Sequence, residues 1–149
     1  MSNAIFYIPD PSNEPVLSYA PGSPERKDVE SALKAAKKRV VDIPMFINGK
    51  KVRTKNRQDI FPPHELDHQI GKFSVGDKKH VNDAIKAALS AKKDWENMPW
   101  QDRAAIFLKA ADLIAGKYRA DMNAATMLAQ SKSVYQAEID CVCEFVDFL

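Results

Sequence analysis

The last seventeen residues, Ser133 to Leu149, constrain this chain more than any other segment. Ser133 and Gln136 have the spacing of a capping box, in which the first side chain caps the third helical N–H and the second reaches back to the cap. Beyond them, at α-helical spacing, Val134, Ala137, Cys141, Phe145 and Phe148 fall on one side, and Ile139, Val142, Val146 and Leu149 on another. A helix apolar over most of its circumference is buried between other elements. The apolar pattern runs to Phe148 and Leu149 with no glycine or polar tail, whereas termini usually lie at a solvated surface. The expectation is therefore that these residues are core in a longer parent chain.

The rest of the sequence predicts one mostly helical domain with short β-hairpins. Residues 1–22 hold Pro9, Pro11, Pro15 and Pro21 and read as an extended arm, although Ile5, Phe6, Tyr7, Val16, Leu17 and Tyr19 make it apolar. Ser23-Pro24-Glu25 is a helix start, and Val29, Leu33, Ala36 and Val40 then recur on one face before Pro44 stops the helix. Met45-Phe46-Ile47 and Lys50-Lys51-Val52 flank Asn48-Gly49, a hairpin signal because both turn residues tolerate positive φ. Ile60-Phe61 and Ile70 to Val75 read as two further strands. Asp77 caps a helix with Val81, Ile85 and Leu89, Pro99 opens a second, Gly116 stands at its C-terminal end, and a third runs through Met122, Ala125 and Leu128.

Several function classes receive no support. A net charge of +2 gives no basic stripe for nucleic acid, and no apolar run approaches a membrane span of about 20 residues. The five glycines, Gly22, Gly49, Gly71, Gly76 and Gly116, are dispersed, so there is no phosphate-cradling glycine motif. His64-Glu65-Leu66-Asp67-His68 matches the zinc-hydrolase pattern H-E-x-x-H, which needs a helix to bring both histidines to one face. Pro62-Pro63 before it and Gly71 after it predict a turn instead. Cys141 and Cys143, two apart, point to nearly opposite sides of a helix and suit packing, not a shared metal. One acidic stripe remains: Gln136, Asp140, Glu144 and Asp147. It reads either as a solvated face or as carboxylate placed at a core edge to hold a cationic group.

Three stretches carry a resemblance. Asn13-Glu14-Pro15-Val16-Leu17 with Gly22-Ser23-Pro24-Glu25-Arg26, then Asp102 to Asp112, then Gln136-Ala137-Glu138-Ile139-Asp140 with Glu144-Phe145-Val146-Asp147-Phe148, resemble the N-terminal region of the Δ1-pyrroline-5-carboxylate dehydrogenases, the glutamate-semialdehyde branch of the aldehyde dehydrogenases. The resemblance implies an α/β parent with cofactor, catalytic and oligomerising parts, of which residues 23–149 open the NAD-binding domain. It implies NAD as cofactor, bound by the full parent and not by this segment. It also implies L-glutamate γ-semialdehyde as substrate, a homo-oligomer, and a cytoplasmic location, or the mitochondrial matrix in a eukaryote. The family's nucleophilic cysteine lies far downstream, so no catalytic residue is expected here, and Cys141 and Cys143 are not that nucleophile. One role carries over: Glu144 matches a glutamate placed at the substrate's α-amino group. Ser131-Lys132 departs from the usual Gly-Lys. The competing readings are a helical interaction module and a zinc hydrolase built on His64, Glu65 and His68.

Overall fold

Helix α1, Pro24–Lys37, begins as its sequence demands: Ser23 is the N-cap, its side chain accepts from the Arg26 N–H, and Pro24 occupies the first turn. The computed structural model describes residues 10–149 together with Ile5 and Tyr7, so Phe6 and Pro9 of the expected arm lie outside the described residues. Residues 10–20 form neither helix nor strand.

The first correction falls after α1. The apolar spacing carried that helix through Val40, but it ends at Lys37, and Val41–Ile43 form strand β1. Val40, Val41 and Ile43 are β-branched and lose little in an extended chain. Strand β5, Gly71–Ser74, provides the ladder, pairing parallel with β1 in the register Val41 to Gly71. The central position of β5 is completed on its other side by antiparallel β4, Arg57–Ile60. Gly71 eases this crossing, since a Cβ there would lie a tight 3.1 Å from the Val41 carbonyl oxygen. The expected hairpin is present as β2, Met45–Ile47, and β3, Lys50–Val52. Asn48 at φ 52° and Gly49 at φ 70° make the left-handed turn between them.

Helix α2, Lys78–Asn97, is capped reciprocally by Asp77 and His80. Helix α3, Trp100–Ala115, follows Pro99 and ends at Gly116. Helix α4, Arg119–Gln130, lies against α1 and buries Asn123, Ala124, Thr126 and Leu128. The expected stripe of Met122, Ala125 and Leu128 is therefore turned by about one position, and Ala125 is exposed. Ser131 ends α4 at φ 56°, a left-handed cap that favours glycine.

The terminal helix departs most from expectation. It opens as α5, Val134–Ala137, with the expected Ser133–Gln136 capping box. It then passes through a π-helical turn, Glu138–Cys143, and resumes as α6, Glu144–Phe148. A π turn holds one extra residue, so everything after it lags an unbroken α-helix by about one residue's rotation, about 100°. Val142 and Cys143 swing inward and become 0% and 5% exposed, while Phe145 and Phe148 leave the side of Ala137 and stand 44% and 86% exposed. The core is thus the meeting of α1, α4, α5 and the π turn, closed by Tyr19 from residues 10–20.

Candidate functional site

Inside that core sits a carboxylate. Glu138, the first residue of the π turn, is 0% exposed. Its two oxygens accept from the Leu17 N–H at 3.0 Å, the Tyr19 hydroxyl at 2.7 Å, the Asn123 amide at 2.7 Å and the Arg119 Nε–H at 3.1 Å, with a further short contact to Arg119 Nη2. Arg119 opens α4 and spreads its guanidinium further, to Glu14 at 2.5 Å and to the Pro15 carbonyl at 2.7 Å. Burial alone pushes the Glu138 carboxyl up, but Arg119, Leu17, Tyr19 and Asn123 more than reverse it and hold it below its ordinary value. Burial, and then the hydrogen bond and charge of Glu138, drive the Tyr19 hydroxyl upward, so it stays protonated and donating. Two further contacts attach the chain near its start to the terminal helix: the Glu14 N–H donates to Asp147 Oδ1 at 2.7 Å, and the Cys143 thiol to the Pro15 carbonyl at 3.8 Å.

The π turn divides the acidic stripe. Asp147 faces residues 14–17, Gln136 is used in the cap, and Asp140 pairs with Lys132 at 2.8 Å. Glu144 is exposed, and its side chain makes no hydrogen bond or ion pair among the described residues. Glu138, Arg119 and Tyr19 were not singled out by sequence reasoning. A signal existed: Val134 and Val142 flank Glu138 four residues to either side, which marks an acid on an apolar face.

The H-E-x-x-H segment lies in the turns joining β4 to β5, not on a helix. His64 Nδ1 is 2.6 Å from Ser131 Oγ, and Glu65 pairs with Lys37 at 2.7 Å, so the motif is spent on tethering that loop to α1 and α4. No group of three or more histidine, cysteine or acidic side chains is placed to hold a metal among the described residues. Burial and the Glu138 charge push the Cys143 thiol up, against nucleophilic use. The parallel pair β1–β5 is connected through β2, β3 and β4 and not by a crossover helix, and Gly76 lies between β5 and α2, whose first turn is capped by Asp77. No helix among the described residues is long and apolar enough to cross a membrane.

Comparison with known proteins bears on what such a segment belongs to. The model of the aldehyde dehydrogenase family matches residues 46–149. The Δ1-pyrroline-5-carboxylate dehydrogenase of Agaricus bisporus is 51% identical over 97% of this chain and 27% of its own length. The human mitochondrial enzyme of that name is 46% identical over 92% of this chain and 24% of its own. The crystal structure of the Mycobacterium tuberculosis Δ-pyrroline-5-carboxylate dehydrogenase bound with NAD superposes with a TM-score of 0.95 at 45% identity, over 99% of this chain and 28% of that one. The chain spans about a quarter of the length of the relatives it matches.

Proposed function

The chain belongs to the aldehyde dehydrogenase family, and from that premise we propose that it forms the opening part of an NAD-dependent dehydrogenase that oxidises L-glutamate γ-semialdehyde to L-glutamate. The observation that carries this reading is the match of essentially the whole chain, at 45% identity, to an enzyme of that name with NAD bound. The division into an arm over residues 1–22 and the start of the NAD-binding domain over residues 23–149 belongs to this reading, with the dinucleotide contacts supplied by the remainder of the parent. A homo-oligomer in the cytoplasm, or in the mitochondrial matrix of a eukaryote, belongs to the same proposal; the human relative is mitochondrial.

No bond-making step runs through the residues described here. Their contribution is recognition. The substrate differs from a plain aldehyde in bearing an α-ammonium, and Glu144 is an exposed carboxylate with no side-chain partner among the described residues to compete for it. A charge-assisted hydrogen bond of this kind contributes about 1.5–3 kcal/mol, or about ten- to hundredfold in affinity. In the full-length protein carrying this chain, Glu144→Ala is expected to raise KM for the semialdehyde by that factor and to change KM for an unsubstituted aldehyde far less. Equal losses for both substrates refute the role of Glu144. Absence of NADH formation from the semialdehyde by the unaltered protein refutes the reaction.

A further inference from the structure

The π turn decides where Glu144 points. In an unbroken α-helix, residues seven apart lie nearly in line. Glu144 would then stand two turns above Ala137, which is 0% exposed, and its carboxylate would enter the core. The extra residue between Glu138 and Cys143 rotates α6 by about 100° and brings Glu144 to the exposed side. The π-helix occurs mostly as single turns inside α-helices, frequently at functional sites. Here the first residue of the turn is a fully buried carboxylate with four partners on two separate segments: Leu17 and Tyr19 near the start of the chain, and Arg119 and Asn123 on α4. The last residue, Cys143, faces the same segment through the Pro15 carbonyl. Tyr19 holds its place at φ 52°, a left-handed conformation unfavourable for an aromatic residue, which shows how firmly this contact set fixes the backbone.

We propose that Glu138, clamped by Arg119 and Tyr19, is a positioning residue for substrate selection: it keeps the π turn wound, and the π turn presents Glu144 to the amino group of the substrate. This rests on the recognition role given to Glu144 above. Glu138 itself has no exposed surface and touches no ligand.

The test is a double-mutant cycle in the full-length protein, with KM and kcat measured for the semialdehyde and for an unsubstituted aldehyde. Glu138→Gln keeps the shape but removes the charge that binds Arg119. It is expected to raise KM for the semialdehyde about tenfold, with kcat and the plain aldehyde little changed. Combined with Glu144→Ala it adds nothing further, because both changes remove one interaction. Tyr19→Phe, which deletes a single hydrogen bond to Glu138, moves the same parameter in the same direction by a smaller factor, and carries the test if Glu138→Gln does not fold. Multiplicative effects in the cycle, equal losses on both aldehydes, or no change in discrimination for either variant would overturn the proposal. If Glu144→Ala alone leaves discrimination intact, the recognition role fails first, independently of Glu138.

Discussion

Replacing Arg119 with methionine keeps much of the side-chain length and removes every charge-assisted bond the guanidinium makes. Glu138 then retains three donors, from Leu17, Tyr19 and Asn123, but is left as a buried carboxylate with no counter-charge. Removing one partner of a buried pair costs about 3–5 kcal/mol. Solvent screens little here, because the Arg119 side chain is 11% exposed and that of Glu138 0%. At about 3 kcal/mol, local opening becomes about a hundredfold more frequent, by the factor of ten per 1.4 kcal/mol. Hydrogen–deuterium exchange of the full-length protein reads this directly, since the Leu17 N–H donates to Glu138 and the Glu14 N–H to Asp147. Both amides should lose about two orders of magnitude of protection at neutral pH while those of α2, which does not touch the cluster, stay as they were. The pH dependence fixes the cause. In the native protein Glu138 titrates below its ordinary value, so its stabilisation is complete above that value and is lost as pH falls through the lowered one. Without Arg119 the carboxyl loses the largest of the contacts that lower it, so it rises from its native value, and protonation shrinks the variant's deficit as pH falls. Protection at Leu17 within about threefold of native, or a deficit that does not change with pH, refutes the assignment of the pair as the clamp.

Two smaller predictions test the frame around the site. Gly71→Ala forces a methyl against the Val41 carbonyl at 3.1 Å and against the Ile60 side chain at 3.5 Å, an overpacking worth about 1–3 kcal/mol. The Val41 N–H, which donates to the Ile70 carbonyl at 3.0 Å, should exchange faster, and an unchanged rate would show that the strand pair yields without cost. The Asp77 carboxyl is held below its ordinary value by the His80 backbone N–H and then by the His80 ring, so the cap of α2 persists until pH falls below the ordinary aspartate range near about 4. Protection of the His80 amide should fall there in the native protein and show no such step in Asp77→Asn.

Most of the fold was legible because it is written in local chemistry. The caps at Ser23, Asp77 and Ser133, the Asn48-Gly49 turn and the helical stretches of α2 and α3 depend on neighbours within a few residues. Strand β1 was not legible, because Val41–Ile43 are strand only by virtue of β5, some thirty residues later. The π turn was hidden for a related reason. Sequence periodicity assumes a constant 3.6 residues per turn, and the extra residue is stabilised by Leu17, Tyr19 and Arg119, none of which is near it in the chain. Glu144 stood out in the sequence because exposed stripes are periodic; Glu138 did not, because a lone acid on an apolar face looks like a break in the pattern until its partners are placed.

Two glutamates six positions apart on one helix therefore do opposite work, and the difference is set by rotation and not by residue type. Glu138 is surrounded by donors and gives up its charge to internal bonds, which makes it a poor ligand and a strong anchor. The Glu144 side chain has no bond among the described residues, which makes it a poor anchor and leaves its carboxylate available. Each property depends on the other residue, because only the anchored π turn keeps Glu144 out of the line of Ala137. The anchoring contacts join residues more than a hundred positions apart, such as Leu17 and Glu138. The orientation of Glu144 is thus a property of the whole folded segment, and under the recognition role proposed for it, variants near the start of the chain, far from Glu144 in sequence, should alter which aldehydes are accepted.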